Sequence, residues 1–197
     1  MINGYQRTQR EYKINQPSTD LIQPFTAQSF ADFIAIDYTT AIKPVLDSFI
    51  QTAAEICVQY TNTDLLKRDW VYKLDKNPKL QAAFTGVCPM YAVFDDYVYL
   101  PIKPVTAIKT VKLNDETMTN YEFDLGEQAR VQIEGIGSIE ITYTAGYDLI
   151  PERLLLGIKM LAAYLFERRG ACDATDAIKL SGAAGIWQPF VKWGGSI

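Results

Sequence analysis

The 197-residue sequence contains no histidine. Imidazole is the side chain most used for proton transfer near neutral pH and the commonest nitrogen ligand for metals. Ser-His-Asp, Cys-His and His-zinc mechanisms are therefore excluded. Cysteine is scarce: Cys57, Cys88 and Cys172 are odd in number, widely spaced and free of any C-x-x-C pair. That pattern predicts buried reduced thiols, not a disulfide framework or a zinc site. Long apolar runs are also missing. The most apolar stretch, Leu154 to Phe166, is broken by Lys159 and falls short of the roughly 20 residues that cross a bilayer. Gly135-x-Gly137 has no third glycine at the needed step, and nothing resembles a phosphate loop ending in Gly-Lys-Ser/Thr, so nucleotide binding has no support.

Excess positive charge is lacking as well. The net charge is -4 and the pI near 4.9, whereas a reader of nucleic acid normally shows a clustered basic face. The opening from Met1 to Lys13 carries Arg7, Arg10 and Lys13 with no apolar run behind it, which predicts no secretory signal and a protein made and used inside a cell.

What is present is enough for a folded chain. Apolar residues make up 48% and charged residues 21%, a balance that predicts one core with extended ends. Residues 1–24 show neither helical nor strand periodicity and are read as an N-terminal arm. Thr26 is a fitting N-cap for a helix over 26–36, with Ala27, Phe30, Phe33 and Ile34 on one face. A second helix over 40–60 follows, capped by Thr39 or Thr40 and carrying Pro44 in its first turn. Its expected stripe is Ile42, Val45, Leu46, Phe49, Ile50, Ala53, Ile56, Cys57 and Tyr60.

Residues 70–144 read as β-rich. Trp70-Val71-Tyr72, Tyr91 to Phe94 and Tyr97 to Leu100 have strand composition. Val111/Leu113, Tyr121/Phe123/Leu125, Val131/Ile133 and Ile139/Ile141/Tyr143 alternate with polar residues, with turns at Asn114-Asp115, Gly126 and Gly135-Ile136-Gly137. A third helix over 151–169 starts at Pro151 and presents Leu154, Leu155, Ile158, Leu161, Ala162, Leu165 and Phe166. The fold class expected is α+β: a small helical bundle with an inserted antiparallel β-meander and extended N- and C-terminal arms.

Carboxylates are the remaining source of catalysis. Asp95 and Asp96 are adjacent and would point to opposite faces of an extended segment. Glu134 and Glu140 read as exposed charges on alternating strands, since glycoside chemistry requires a defined separation and one raised pKa. No catalytic residue, metal site or cofactor is assigned, and the chain is read as a non-enzyme.

The succession Phe25-Thr26-x-x-x-Phe30-x-x-Phe33-Ile34-x-Ile36-Asp37, then Leu46-x-x-Phe49-Ile50-x-x-Ala53, then Tyr60-Thr61 with Leu65 and Trp70, resembles the start of the head-tail connector family of tailed bacteriophages. Leu100-Pro101-x-x-Pro104-Val105 and Ile141-Thr142-Tyr143-Thr144-Ala145-Gly146-Tyr147 with Pro151 and Leu154 are similar to that family's strand entry, last strand and final helix. The blocks span about residues 25–169, and 25–170 is taken as the connector domain. The long segment before Phe25 and the Trp-containing tail after Gly170 depart from the pattern.

The resemblance implies a structural adaptor of the virion neck, assembled in the host cytoplasm. Such a subunit forms a homo-oligomeric ring, usually of twelve copies, docks on the portal protein, extends the DNA channel and holds a stopper or tail protein on its far side. Genomic DNA would pass without specific binding past an acidic or neutral lining, and no membrane is involved. Residues 171–197 are expected to be a docking arm whose portal-binding candidates are Ile186, Trp187, Phe190, Val191 and Trp193. The alternative is that Trp187, Phe190 and Trp193 fold back on their own domain. Competing functions are a stopper or tail-completion neck protein, a small carboxylate-dependent enzyme, and a module that binds a peptide along a strand edge.

Overall fold

The computed structural model describes residues 10–14, 23–76, 97–126, 128–168 and 174–191. The chain is α+β and divides into two compact units, one built from Ser18–Lys67 with Gly146–Ile197 and one from Met1–Pro17 with Arg68–Ala145. Composition predicts a single core, whereas the described residues form two separate hydrophobic clusters. Two clusters arise because the sheet's apolar face is covered within its own unit, and the helices' apolar faces are covered within theirs.

In the helical unit, α1 spans Ala27–Phe33 and is capped as its sequence requires, the Thr26 hydroxyl accepting from Ser29 N–H at 3.2 Å. It ends before residue 36 because Ala35 turns left-handed at φ 54°, with Ile36 N–H donating to Ala31 O and Ala35 N–H to Asp32 O. Helix α2, Lys43–Thr61, begins three residues later than predicted. Thr39 caps a separate turn, its carbonyl accepting from Ile42 and Lys43, and the missing N–H of Pro44 falls where no helical bond is lost. The buried stripe of α2 is Leu46, Ile50, Ala53, Ala54, Cys57 and Thr61; Val45, expected inside, is exposed.

Helix α3, Glu152–Glu167, has Pro151 as its N-cap residue and buries Leu154, Gly157, Ile158, Leu161 and Ala162. The described part of the C-terminal segment is helical: α4 spans Ala174–Leu180, α5 spans Ala183–Trp187, and a 3-10 turn covers Gln188–Phe190. Alanine content favours helix here, and glycine interrupts only at Gly182, whose φ of 80° separates α4 from α5.

In the β unit, β1 (Arg10–Ile14), β2 (Arg68–Lys76), β8 (Gly137–Ala145), β4 (Val105–Leu113) and β5 (Glu116–Thr117) form one antiparallel sheet in that spatial order. The second sheet is β3 (Tyr97–Tyr99), β7 (Arg130–Gln132) and β6 (Glu122–Asp124). Residues 10–14, placed in an arm by their composition, thus pair with β2 from Arg10↔Leu74 to Ile14↔Trp70. Strand β8 lies between β2 and β4, and its alternation is strict: Ile139, Ile141, Tyr143 and Ala145 are fully buried. Val98, Val131 and Ile133 from the region of the small sheet join the same cluster.

Candidate functional site

The five residues proposed from sequence for docking belong to α5, the 3-10 turn and the residues just beyond it. Trp187 is fully buried. Its indole fits the space left by Gly157, where a Cβ would stand 2.2 Å from Nε1, and Nε1–H donates to Leu154 O at 3.4 Å. The Tyr60 ring lies 5.9 Å away, tilted by 45°. Ile186 and Phe190 are half-buried against the same cluster, Val191 is half-buried, and Trp193 lies outside the described residues. Trp187 is therefore a core side chain, not an exposed anchor. Apolar surface was the correct signal, and the nearest apolar surface belongs to the chain itself.

Gly157 is a glycine inside an otherwise strong helical pattern, a position where the missing side chain leaves room for a close neighbour. Its partner thirty residues downstream has no periodic relation to it.

The carboxylate candidates do not assemble into a site. Asp95 and Asp96 lie outside the described residues, and Glu134 is exposed on the turn before β8. Glu140 is bound on both sides, by Lys73 at 2.6 Å and Lys112 at 2.9 Å. Those two ammonium groups hold its carboxyl below the ordinary range, the opposite of what a general acid requires. Asp69 is likewise lowered, by the Lys109 ammonium and then the Thr144 hydroxyl, working against partial burial. Burial pushes the Cys57 thiol up to about 12, which removes it as a nucleophile. Among the described residues no group of three or more His, Cys, Asp or Glu could hold a metal ion, and no helix is long and apolar enough to cross a membrane.

What the surface does offer is apolar area. On the helical unit Leu149, Leu156, Leu180 and Phe33 are exposed, and Lys159 Nζ stands 5.2 Å from the Phe25 ring centre and 5.9 Å from that of Phe33. On the β unit Phe123 and Ile136 are more than half exposed.

No protein-family model matches the chain, and no curated protein does. Solved structures do. A chain from the neck of a native GTA particle computed with C12 symmetry aligns with TM-score 0.63 and 18% identity, over 94% of this chain and 98% of the other. One from the neck of an empty GTA particle computed with C6 symmetry gives 0.61 and 17%, covering 87% and 94%. A chain from the virion of a native gene transfer agent (GTA) particle gives 0.59 and 18%, covering 86% and 93%. The likeness extends over nearly the full length of each chain, and at this identity what is shared is the fold.

Proposed function

We propose that this chain is a structural ring subunit of a virion neck, an adaptor that docks on the portal of a tailed phage or related particle. In that role it extends the DNA channel and offers the next neck or tail protein a surface to bind. The observation that carries the reading is the end-to-end fold match to a chain in a neck computed with C12 symmetry. Three individual groups agree with it: Glu140 and Asp69 are held by lysines and kept low, and Cys57 is buried with its thiol pushed up.

A closed ring needs heterologous contacts, one surface of each copy meeting a different surface of the next. A two-unit chain can supply two such flanks. Portal binding by the half-buried Ile186, Phe190 and Val191 stays part of the proposal, while Trp187 closes the bundle. Truncation after Gly185 would remove that core residue, so point variants are the proper test of docking. Assembly belongs in the host cytoplasm and the final location in the neck of the virion. A stopper or tail-completion role is the second reading, since it would share the non-enzymatic, ring-forming character, and the identity of the bound neighbour separates the two.

The test is electron microscopy of the purified protein mixed with its portal. Closed rings seated on the portal are expected. A chain that stays monomeric at high concentration beside the portal, or that turns over a substrate, overturns the proposal. A ring that instead binds only the tail side favours the stopper reading.

A further inference from the structure

The chain passes between its two units along three connections, and they differ in length. Residues 62–67 join α2 to β2 and residues 146–151 join β8 to α3, whereas residues 15–26, twice as many, join β1 to α1. The two short connections are fastened to each other: Lys67 Nζ stands 3.0 Å from Asp148 Oδ1, and a Cβ on Gly146 would fall 2.1 Å from Leu66 O. Strand β1 ends with Ile14 opposite Trp70, close to the start of β2 at Arg68. The long connection therefore holds more chain than either short one uses to pass between the same two units. When extended, residues 15–22 can span about 30 Å. They include Pro17 and no glycine, a composition that disfavours tight reversal.

Strand β1 is the end strand of its sheet and pairs with β2 alone. No hairpin joins the two, since α1 and α2 come between them in sequence. A backbone ladder does not record which copy supplied the strand. Pairing within one chain and pairing between copies make the same hydrogen bonds, so the tether decides between them. Strand β2 needs the partner in either case. Its Trp70 and Tyr72 belong to the buried cluster of the sheet, and without β1 its edge would present unpaired N–H and C=O groups.

We infer that in the assembled ring β1 of each copy pairs with β2 of the next copy, the surplus connection spanning the boundary between them. The inference rests on the ring reading above and names the contact that links one subunit to its neighbour. Exchange of an identical element ties two copies together without requiring a new complementary surface. The contact is heterologous, the strand of one copy against the sheet edge of the next, and contacts of that kind close into rings. Once copies stand side by side, the connection holds the neighbour's strand at a high effective concentration. Each subunit is then fixed twice, as donor of one strand and acceptor of another.

The test uses the intact protein assembled with its portal. Unlabelled and isotope-labelled copies are mixed before assembly, and a carbodiimide then couples neighbouring carboxylates and amines. Glu11 and Lys73 are direct partners across β1 and β2. After proteolysis, mass spectrometry is expected to find the Glu11–Lys73 cross-link with one labelled and one unlabelled half. The Glu140–Lys73 ion pair lies within one chain, so its cross-link stays unmixed and serves as the internal control. A second arm mixes copies carrying Glu11→Cys with copies carrying Lys73→Cys and oxidises the assembled ring. A disulfide between positions 11 and 73 of different copies is expected, and a cross-link between copies in either arm supports exchange. Rings that give the Glu11–Lys73 cross-link only within single chains, or give no cross-link between these positions in either arm, overturn the exchange and leave the neck reading standing. If no ring forms beside the portal, both fail.

Discussion

Gly157 and Cys57 show how single side chains set what the helical unit can do. The indole of Trp187 occupies the volume that any side chain at position 157 would need, since a Cβ there would come within 2.2 Å of Nε1. Gly157→Ala is therefore expected to expel Trp187 and cost about 3 kcal/mol, the scale of losing a large buried aromatic or overfilling a core. Chemical denaturation with tryptophan fluorescence checks it, and an unchanged midpoint with a blue, protected emission would contradict it. Cys57 is governed by burial, which raises its thiol from 9.0 to about 12, while the Thr61 hydroxyl pulls the other way. The folded state keeps a proton that the unfolded state gives up, so this group's contribution to stability is whole below pH 9 and is lost as pH climbs toward 12. At pH 8.5 Cys57 should resist iodoacetamide until denaturant is added, read by site-resolved mass spectrometry; rapid labelling of the native protein would refute the assignment. A lone cysteine without a partner motif already pointed to this in the sequence. The pairing of Gly157 with Trp187 did not, because no local period links residues thirty apart.

Elements were legible wherever side chains repeat with a period, and their ends were less so. The three long amphipathic stretches became α1, α2 and α3, and the alternation at Ile139, Ile141 and Tyr143 became the central strand β8. The alternating segments form antiparallel strands as expected, shared between two sheets, with β3, β7 and β6 in a sheet of their own. Pairing between distant strands is a tertiary matter that alternation cannot encode. Helix α1 stops early at Ala35, a non-glycine residue in the left-handed region at φ 54°. Ala35→Gly should relieve that strain and stabilise the unit by about 0.5–1 kcal/mol, since the position is already committed to φ > 0; a lower unfolding midpoint would count against this account. On the polar face of the large sheet, Glu140 bridges Lys73 and Lys112 and titrates below its ordinary 4.5. A lowered carboxylate pKa gives stability that is present above the unfolded value and lost as pH falls through the folded one. Glu140→Gln should thus narrow the stability difference between pH 6 and pH 3, with an effect of about 1 kcal/mol or less because the lysines are well exposed. An equally steep acid loss in parent and variant would show that other groups carry it.

At the scale of the whole molecule the sequence spoke through what it excluded, and on the proposed reading the physical reason lies in where a ring subunit would keep its function. A catalytic site concentrates unusual residues in one place and leaves a signature. A collar of the kind proposed would spread its function over flanks and ends, each made of ordinary side chains, and no local motif would mark it. The order of helices and strands carried the resemblance, while which apolar residues stay outside depends on the fold. Trp187 went in and Ile136 stayed out, a division that burial decides and composition does not. Charge bears on the proposed channel, and each copy carries a formal -4. A lumen that passes packaged DNA works best without binding phosphate, because basic side chains would gain affinity by releasing condensed counterions. If the proposed ring forms, it is expected to show no retention of double-stranded DNA at low salt, where electrostatic attraction is strongest. Gel-shift or filter-binding titration of the ring checks this, and a salt-sensitive complex would mean that the channel wall is basic and that the acidic residues face elsewhere.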